Sequence, residues 1–169
     1  MDKLNTPGSI NIDKLTFGEL CSILAETNFY IYEYENKKWW NRKNGTATDK
    51  DINMWDEASR AWNEMRSRIK NKIDLDLKNN FSASTSKIPD TSSPTRGSSS
   101  FQVLPISLMI DMLTIENIKI FDLKSKKGRQ SDITNATSKK RELERSIEEA
   151  IVLIAKKGQY DLKPESRTF

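Results

Sequence analysis

Apolar residues recur at three- and four-residue intervals along four segments of the chain, the spacing of one face of an α-helix. The first segment runs from Phe17 to about Arg42. Thr16 and Glu19 precede it in the spacing of a capping box, which places the helix N-terminus there. Asn44-Gly45 then predicts a turn. The apolar face of this helix consists of Leu20, Leu24, Ile31 and Tyr34.

A second helix is predicted to start near Thr48, which can cap onto Asp51, and to fade at Asn79-Asn80. The short connection between the two helices favours antiparallel neighbours, an αα-hairpin. The helical face comprises Trp55, Ala58, Trp62, Met65, Ile69 and Ile73.

The second half of the chain predicts another pair of helices. A third helix begins around Pro105, a favourable first-turn residue, and ends at Gly128. A fourth covers roughly 137–157 and ends in two lysines and Gly158. Their apolar positions are Met109, Leu113, Ile120 and Leu123 in the third helix, and Leu143, Ile147, Ile151 and Ile154 in the fourth.

Composition separates the two hairpins. Residues 81–103 are rich in Ser, Thr and Pro and predict a disordered linker, because they offer too little apolar surface to offset the entropy of ordering. The predicted organisation is a flexible segment 1–14, hairpin 15–80, linker 81–103, hairpin 104–158 and tail 159–169. The fold class is therefore all-α, with two hairpins forming a four-helix assembly within one chain or between swapped chains.

The first helices of the two hairpins align with each other without gaps, and the second hairpin has a loop several residues shorter. With Leu15 placed on Leu104, Leu24 meets Leu113, Asn28 meets Asn117, Ile31 meets Ile120, and Lys37-Lys38 meets Lys126-Lys127. Matches in register along a whole helix predict an internal duplication.

The opening helix of each copy resembles that of small uncharacterised bacterial all-helical families, with the motif Ser-φ-Gly-Glu-Leu-x-Asp-Lys/Arg-Leu-Thr-Ile, where φ is apolar. Residues 105–119 match its second half through Asp111, Leu113 and Thr114, and the first copy matches the other half through Gly18-Glu19-Leu20. Ser107-Leu108 in the second copy and Ser22 and Ala25 in the first depart from it. The resemblance covers some fifteen residues per copy and implies a helical fold of bacterial or phage origin, without a reaction.

Composition excludes several kinds of chemistry. The chain has no histidine, which removes Ser-His-Asp and Cys-His catalysis and His-ligated zinc. A single cysteine, Cys21, rules out an intramolecular disulfide. Six scattered glycines form no phosphate-binding loop. We therefore expect no catalytic residue, metal or cofactor, and no enzyme activity. The absence of a signal-peptide core or a long apolar run predicts a cytoplasmic protein without membrane contact.

Asn28 and Asn117 are the first candidates for an interface or a ligand site. Each lies between apolar residues on the helical wheel, so each predicts a buried amide that needs a hydrogen-bond partner. The structural interpretation is a register-setting pair between the hairpins, as a buried Asn provides in coiled coils. The alternative is contact with a ligand.

Aromatic and basic residues at the hairpin loops are the second set of candidates. Trp39 and Trp40 lie near a helix end and could stack on a base or anchor a protein interface, although one of them could instead pack beneath the loop. A net charge of +4 permits contact with an anion without requiring it. The basic candidates are Lys37, Lys38, Arg42, Lys126, Lys127 and Arg129.

The leading functional prediction is a non-enzymatic interaction or self-assembly protein, with a homo-oligomer or another protein as the partner. The first alternative is the binding of a small anion or nucleotide by a sequestering protein. The second is nucleic-acid binding, which the mild charge does not favour.

Overall fold

The computed structural model of the protein describes residues 6–8, 10–82 and 104–157. They form a short 3₁₀ turn at Ile12–Lys14 and four helices: α1 (Phe17–Lys43), α2 (Asp49–Ser82), α3 (Ile106–Ser125) and α4 (Gln130–Lys157). Helices α1 and α2 pack as one hairpin and α3 and α4 as a second, which confirms the predicted all-α fold. The predicted tail and, apart from the last two residues of α2, the predicted linker lie outside the described residues. None of the helices in these ranges is long and apolar enough to cross a membrane.

The predicted helix starts of the first hairpin are confirmed by their hydrogen bonds. The Thr16 backbone N–H donates to the Glu19 carboxylate at 2.7 Å, and the Glu19 N–H donates to the Thr16 hydroxyl at 3.3 Å. Thr48 and Asp51 repeat the arrangement at α2, at 3.0 and 3.2 Å. Each box satisfies two backbone or hydroxyl donors that the helix geometry leaves without an internal partner.

Two apolar clusters hold the first hairpin together. One cluster lies at the end of the hairpin away from the loop, near the start of α1. Its buried side chains are Ile12, Leu20, Leu24, Met65, Ile69 and Ile73. The other lies near the loop and contains Tyr34, Ala58 and Trp62, with Trp55 half-buried beside them. The burial of Ile12 contradicts the prediction that residues 1–14 form a flexible segment throughout. The 3₁₀ turn carries this side chain onto the core, where it is 6% exposed.

The second hairpin has its own, smaller core of Ile106, Met109, Ala150 and Ile154, against which Leu77 of α2 also packs. Helix α4 starts at Gln130, seven residues before the predicted start at 137. The polar run before residue 137 predicts a loop, but it is helical, and Ala136 within it is only 2% exposed. Ile151 does not share the apolar face as predicted and is 45% exposed, because Ala150 takes the inner position.

Helix α3 lies between α4 on one side and the first hairpin on the other. Asn28 of α1 contacts Asp111 of α3, and Tyr32, further along α1, lies beside Asp122, further along α3. Helices α1 and α3 are therefore parallel. The contacts of α3 with α2 run in opposite directions. Both hairpin loops therefore lie at one end of the molecule.

Candidate functional site

A buried polar junction joins the two hairpins, and its centre is Asp111 on α3. The side chain of Asp111 is 1% exposed. Arg66 of α2 donates to both of its oxygens, from Nε at 2.8 Å and from Nη2 at 2.6 Å. Lys70, one turn further along α2, places Nζ 3.5 Å from Oδ2. Asn28 of α1 donates from Nδ2 to Oδ1 at 2.9 Å. Three helices thus converge on one carboxylate.

The donors around Asp111 keep its carboxylate ionised. Burial by itself would raise the pKa of Asp111, since removal from water disfavours the charged form. The hydrogen bonds from Arg66 and Asn28, and the charges of Arg66 and Lys70, outweigh burial and hold the pKa below its ordinary value. Two parallel hydrogen bonds from a guanidinium to a carboxylate are stronger than bonds between neutral groups and fix the geometry of the pair. The junction is therefore a buried ion pair that links the two hairpins.

Neighbouring polar contacts extend the junction along α3. Asn28 also donates to the Thr114 hydroxyl at 2.6 Å, and that hydroxyl donates to the Asp111 carbonyl at 2.8 Å. Two turns of α2 beyond Arg66, Asp74 accepts from the Ser107 hydroxyl at 2.5 Å and from its N–H at 3.3 Å. The face of α3 that meets the first hairpin is therefore largely polar, with Ile110 as an apolar contact to the first core, whereas the apolar core shared with α4 lies on the other side.

The structure separates the two asparagines that the sequence paired. Asn28 is 4% exposed within the junction, as a buried amide should be. Asn117 is exposed on the flank of α3, so the prediction that it is buried as the partner of Asn28 is wrong. A helix with a single buried face would bury Asn117, but α3 buries two faces. Asn117 falls between them and lines a cleft instead.

Replacing Asn28 or Asn117 with alanine should therefore change the free energy of unfolding by different amounts. We expect Asn28→Ala to lower the free energy of unfolding by about 1–3 kcal/mol, since it removes two hydrogen bonds, one to buried Asp111 and one to half-buried Thr114. Asn117→Ala, at the matching position of the second copy, should change it by less than about 0.5 kcal/mol. Urea denaturation of both variants measures the difference. Equal losses would restore the symmetrical interpretation of the two amides.

The two tryptophans at the first loop are both exposed, Trp39 by 54% and Trp40 by 41%. Neither packs beneath the loop, contrary to that prediction. In the core of this hairpin Tyr30 and Trp62 stack on each other instead, with their centroids 4.6 Å apart. The rings of Trp39 and Trp40 meet edge to face, with their centroids 4.8 Å apart. Lys43 lies over both, 4.8 Å from the Trp39 centroid and 5.3 Å from that of Trp40.

The predicted basic residues lie at the same end of the molecule without forming a single patch. Three are partly neutralised. Lys38 bonds Asp56 at 2.7 Å, Lys126 lies 2.8 Å from Asp122, and Arg129 lies 3.1 Å from Asp132. Lys37, Arg42 and Lys127 form no ion pair with any residue that the structure describes. Lys37 instead lies 5.8 Å from the Tyr34 ring centroid.

Two open clefts flank the exposed side of α1 near the loops. One, of about 520 Å³, separates α1 from α3 and is lined by aromatic side chains from both helices, among them Phe29 and Phe121. Phe121 is 72% exposed, the largest value among the exposed apolar side chains of the described ranges. The other, of about 640 Å³, lies further along α1 between Trp39, Arg42 and Lys43, with Glu35 on its wall. Helices α1 and α3 thus expose four large aromatic rings between the middle of α1 and the two loops.

Groups able to perform chemistry are few at these sites. Within the described ranges there is no cluster of three or more acidic, cysteine or histidine side chains that could hold a metal ion. Burial raises the pKa of the Cys21 thiol, which disfavours the nucleophilic thiolate.

Sequence reasoning missed Asp111, Arg66 and Lys70 as interacting residues. The available signal was the isolated carboxylate in the apolar run 108–113, since a charge on a buried helix requires a partner. No protein-family model, curated protein or solved structure gives a significant match to this chain.

Proposed function

We propose that the chain is a cytoplasmic, non-enzymatic interaction module that self-assembles through the exposed aromatic side chains of α1 and α3. The observation that carries the proposal is that four aromatic side chains of α1 and α3, Phe29, Trp39, Trp40 and Phe121, are each more than 40% exposed, with Phe29 and Phe121 lining one cleft. Clustered exposed apolar side chains are characteristic of interaction surfaces, and tryptophan is over-represented among residues that dominate binding energy.

The buried junction supports this proposal by its rigidity. Asp111 fixes the second hairpin against the first, so the aromatic side chains of α1 and α3 are presented in a defined geometry. A surface held in its binding conformation loses less entropy on association than a mobile one.

Sedimentation equilibrium of the full chain over a wide concentration range tests the proposal. We expect reversible association that persists when salt is raised, because burial of aromatic surface is screened little by ions. Binding to phosphate groups would instead weaken steeply with added salt. A chain that stays monomeric at every concentration would contradict self-assembly.

Nucleotide binding is the second candidate, and the cleft beside Trp39 favours it. Trp39, Arg42 and Lys43 line the same space of about 640 Å³, which offers a ring for stacking and two cations for phosphate. Glu35 on the same wall opposes an anion, and Lys38 is already paired with Glu35 and Asp56. Titration of tryptophan fluorescence with mononucleotides, beside a thermal-shift screen against polyanions, separates this candidate from self-assembly.

A further inference from the structure

The exposed face of α1 carries the spacing of a coiled-coil seam. Phe29, Tyr32, Asn36, Trp39 and Lys43 follow one another at intervals of three, four, three and four residues, the a and d positions of two heptads. We call these five residues the α1 seam. Phe29 is 45% exposed and Trp39 54%. Lys43 is exposed as well, whereas Tyr32 and Asn36 are half-buried.

The α1 seam continues an interface that already exists within the chain. Its first two residues line the cleft toward α3, opposite Phe121 and Asp122. Its last three line the second cleft, to which α3 contributes no residue. Helix α3 thus leaves Asn36, Trp39 and Lys43 of the seam uncovered. A helix that packed there would continue the helix-on-helix packing of the junction.

Charge along the seam identifies the helix that fits. Glu33 follows Tyr32 near one end, and Lys43 stands at the other, about 15 Å away along the helix. Glu33 forms no ion pair with another described residue. An antiparallel copy of the same helix would bring Glu33 of each chain to Lys43 of the other. A polyanion would meet Glu33 and Glu35 as well as the lysines.

We propose that the occupant of the α1 seam is the same seam of a second copy of this chain, packed antiparallel about a twofold axis. Asn36 of one copy then faces Trp39 of the other, and Glu33 faces Lys43. The polar residue at an a position restricts the pairing to one register. An isologous contact of this kind closes as a dimer and does not propagate into a filament. The proposal rests on the proposed self-assembly and specifies its geometry.

The first test compares Trp39→Ser with Leu75→Ser by sedimentation equilibrium of the full chain. The two side chains are similarly exposed, 54% and 50%, but Leu75 lies on α2 away from the loops. We expect Trp39→Ser to raise the dissociation constant of the dimer about tenfold or more, as loss of a central aromatic does, and Leu75→Ser to leave it unchanged. Helical circular dichroism of both variants checks that each is folded.

The second test fixes the identity and direction of the partner helix through charge reversal. Glu33→Lys and Lys43→Glu should each weaken self-association, because each creates two like-charge contacts across the dyad. An equimolar mixture of the two variants should associate again, since the mixed dimer contains two opposite-charge contacts. In a parallel pairing Glu33 would face Glu33 and Lys43 would face Lys43, so neither variant alone would associate more weakly than the wild type. Weakening of both single variants together with recovery in the mixture therefore identifies the antiparallel contact.

The outcomes separate this proposal from the broader one. Association of the wild type that is insensitive to Trp39→Ser, or variants that fail to complement each other, would overturn the antiparallel seam and leave self-assembly in place. A wild type that never associates overturns self-assembly itself.

Discussion

Replacing Asp111 with alanine should lower the free energy of unfolding by about 3 kcal/mol, toward the lower end of the cost of breaking a buried ion pair. The substitution leaves Lys70 without its counter-charge and removes one of the two acceptors of Asn28. Arg66 relieves part of the cost, because its side chain is 25% exposed and can reach water. Urea denaturation measures the loss. Asp122→Ala is the matched control, since it removes an ion pair whose lysine is 47% exposed, and should cost less than about 1 kcal/mol.

The effect of Asp111→Ala should also depend on pH, with a sign that the depressed pKa determines. A carboxyl whose pKa is lower in the folded than in the unfolded protein stabilises the fold above its unfolded pKa, and this stabilisation disappears as pH falls through the folded value. The difference between wild type and variant should therefore be constant near neutral pH and narrow below about pH 4. A difference that stays constant into the acid range would mean that the ion pair is not its source.

Ile69→Ala should be at least comparably damaging, at about 2–5 kcal/mol, because it opens a cavity in the first core. Ile69 is completely buried against α1. Leu75→Ala on the same helix removes a side chain that is 50% exposed and should cost below about 1 kcal/mol. Thermal and urea unfolding of the two variants provide the comparison. Similar losses would mean that α2 contacts its neighbours through a different face.

Secondary structure and hairpin pairing were predictable because the relevant signals are local. Thr16 with Glu19 and Thr48 with Asp51 fix helix starts within four residues of sequence, and the periodic positions from Leu20 to Ile73 pack as expected. The start of α4 was not predictable, because a polar sequence such as 130–136 carries little of the apolar periodicity on which the prediction rested.

The junction could be identified only from the three-dimensional arrangement. Periodicity shows that a helix has an apolar face but does not show that its polar face is also covered. In α3 the apolar face meets α4, while Ser107, Asp111 and Thr114 meet the first hairpin. The same limitation explains the error at Asn117. Its counterpart Asn28 lies on α1, which packs against different neighbours from those of α3. Whether the two hairpins arose by duplication stays a prediction.

The sequence separation of the junction contacts has a consequence for the kinetics of folding. Each hairpin closes its own core through a short loop, whereas Asn28 and Asp111 are 83 residues apart, and Arg66 and Asp111 are 45 apart. Contacts that require large loop closures form late, after the hairpins have gained most of their own stability. Weakening the junction should then accelerate unfolding and leave the folding rate almost unchanged. Asp111 thus determines how long the native state lasts, and the hairpin cores determine how fast it appears.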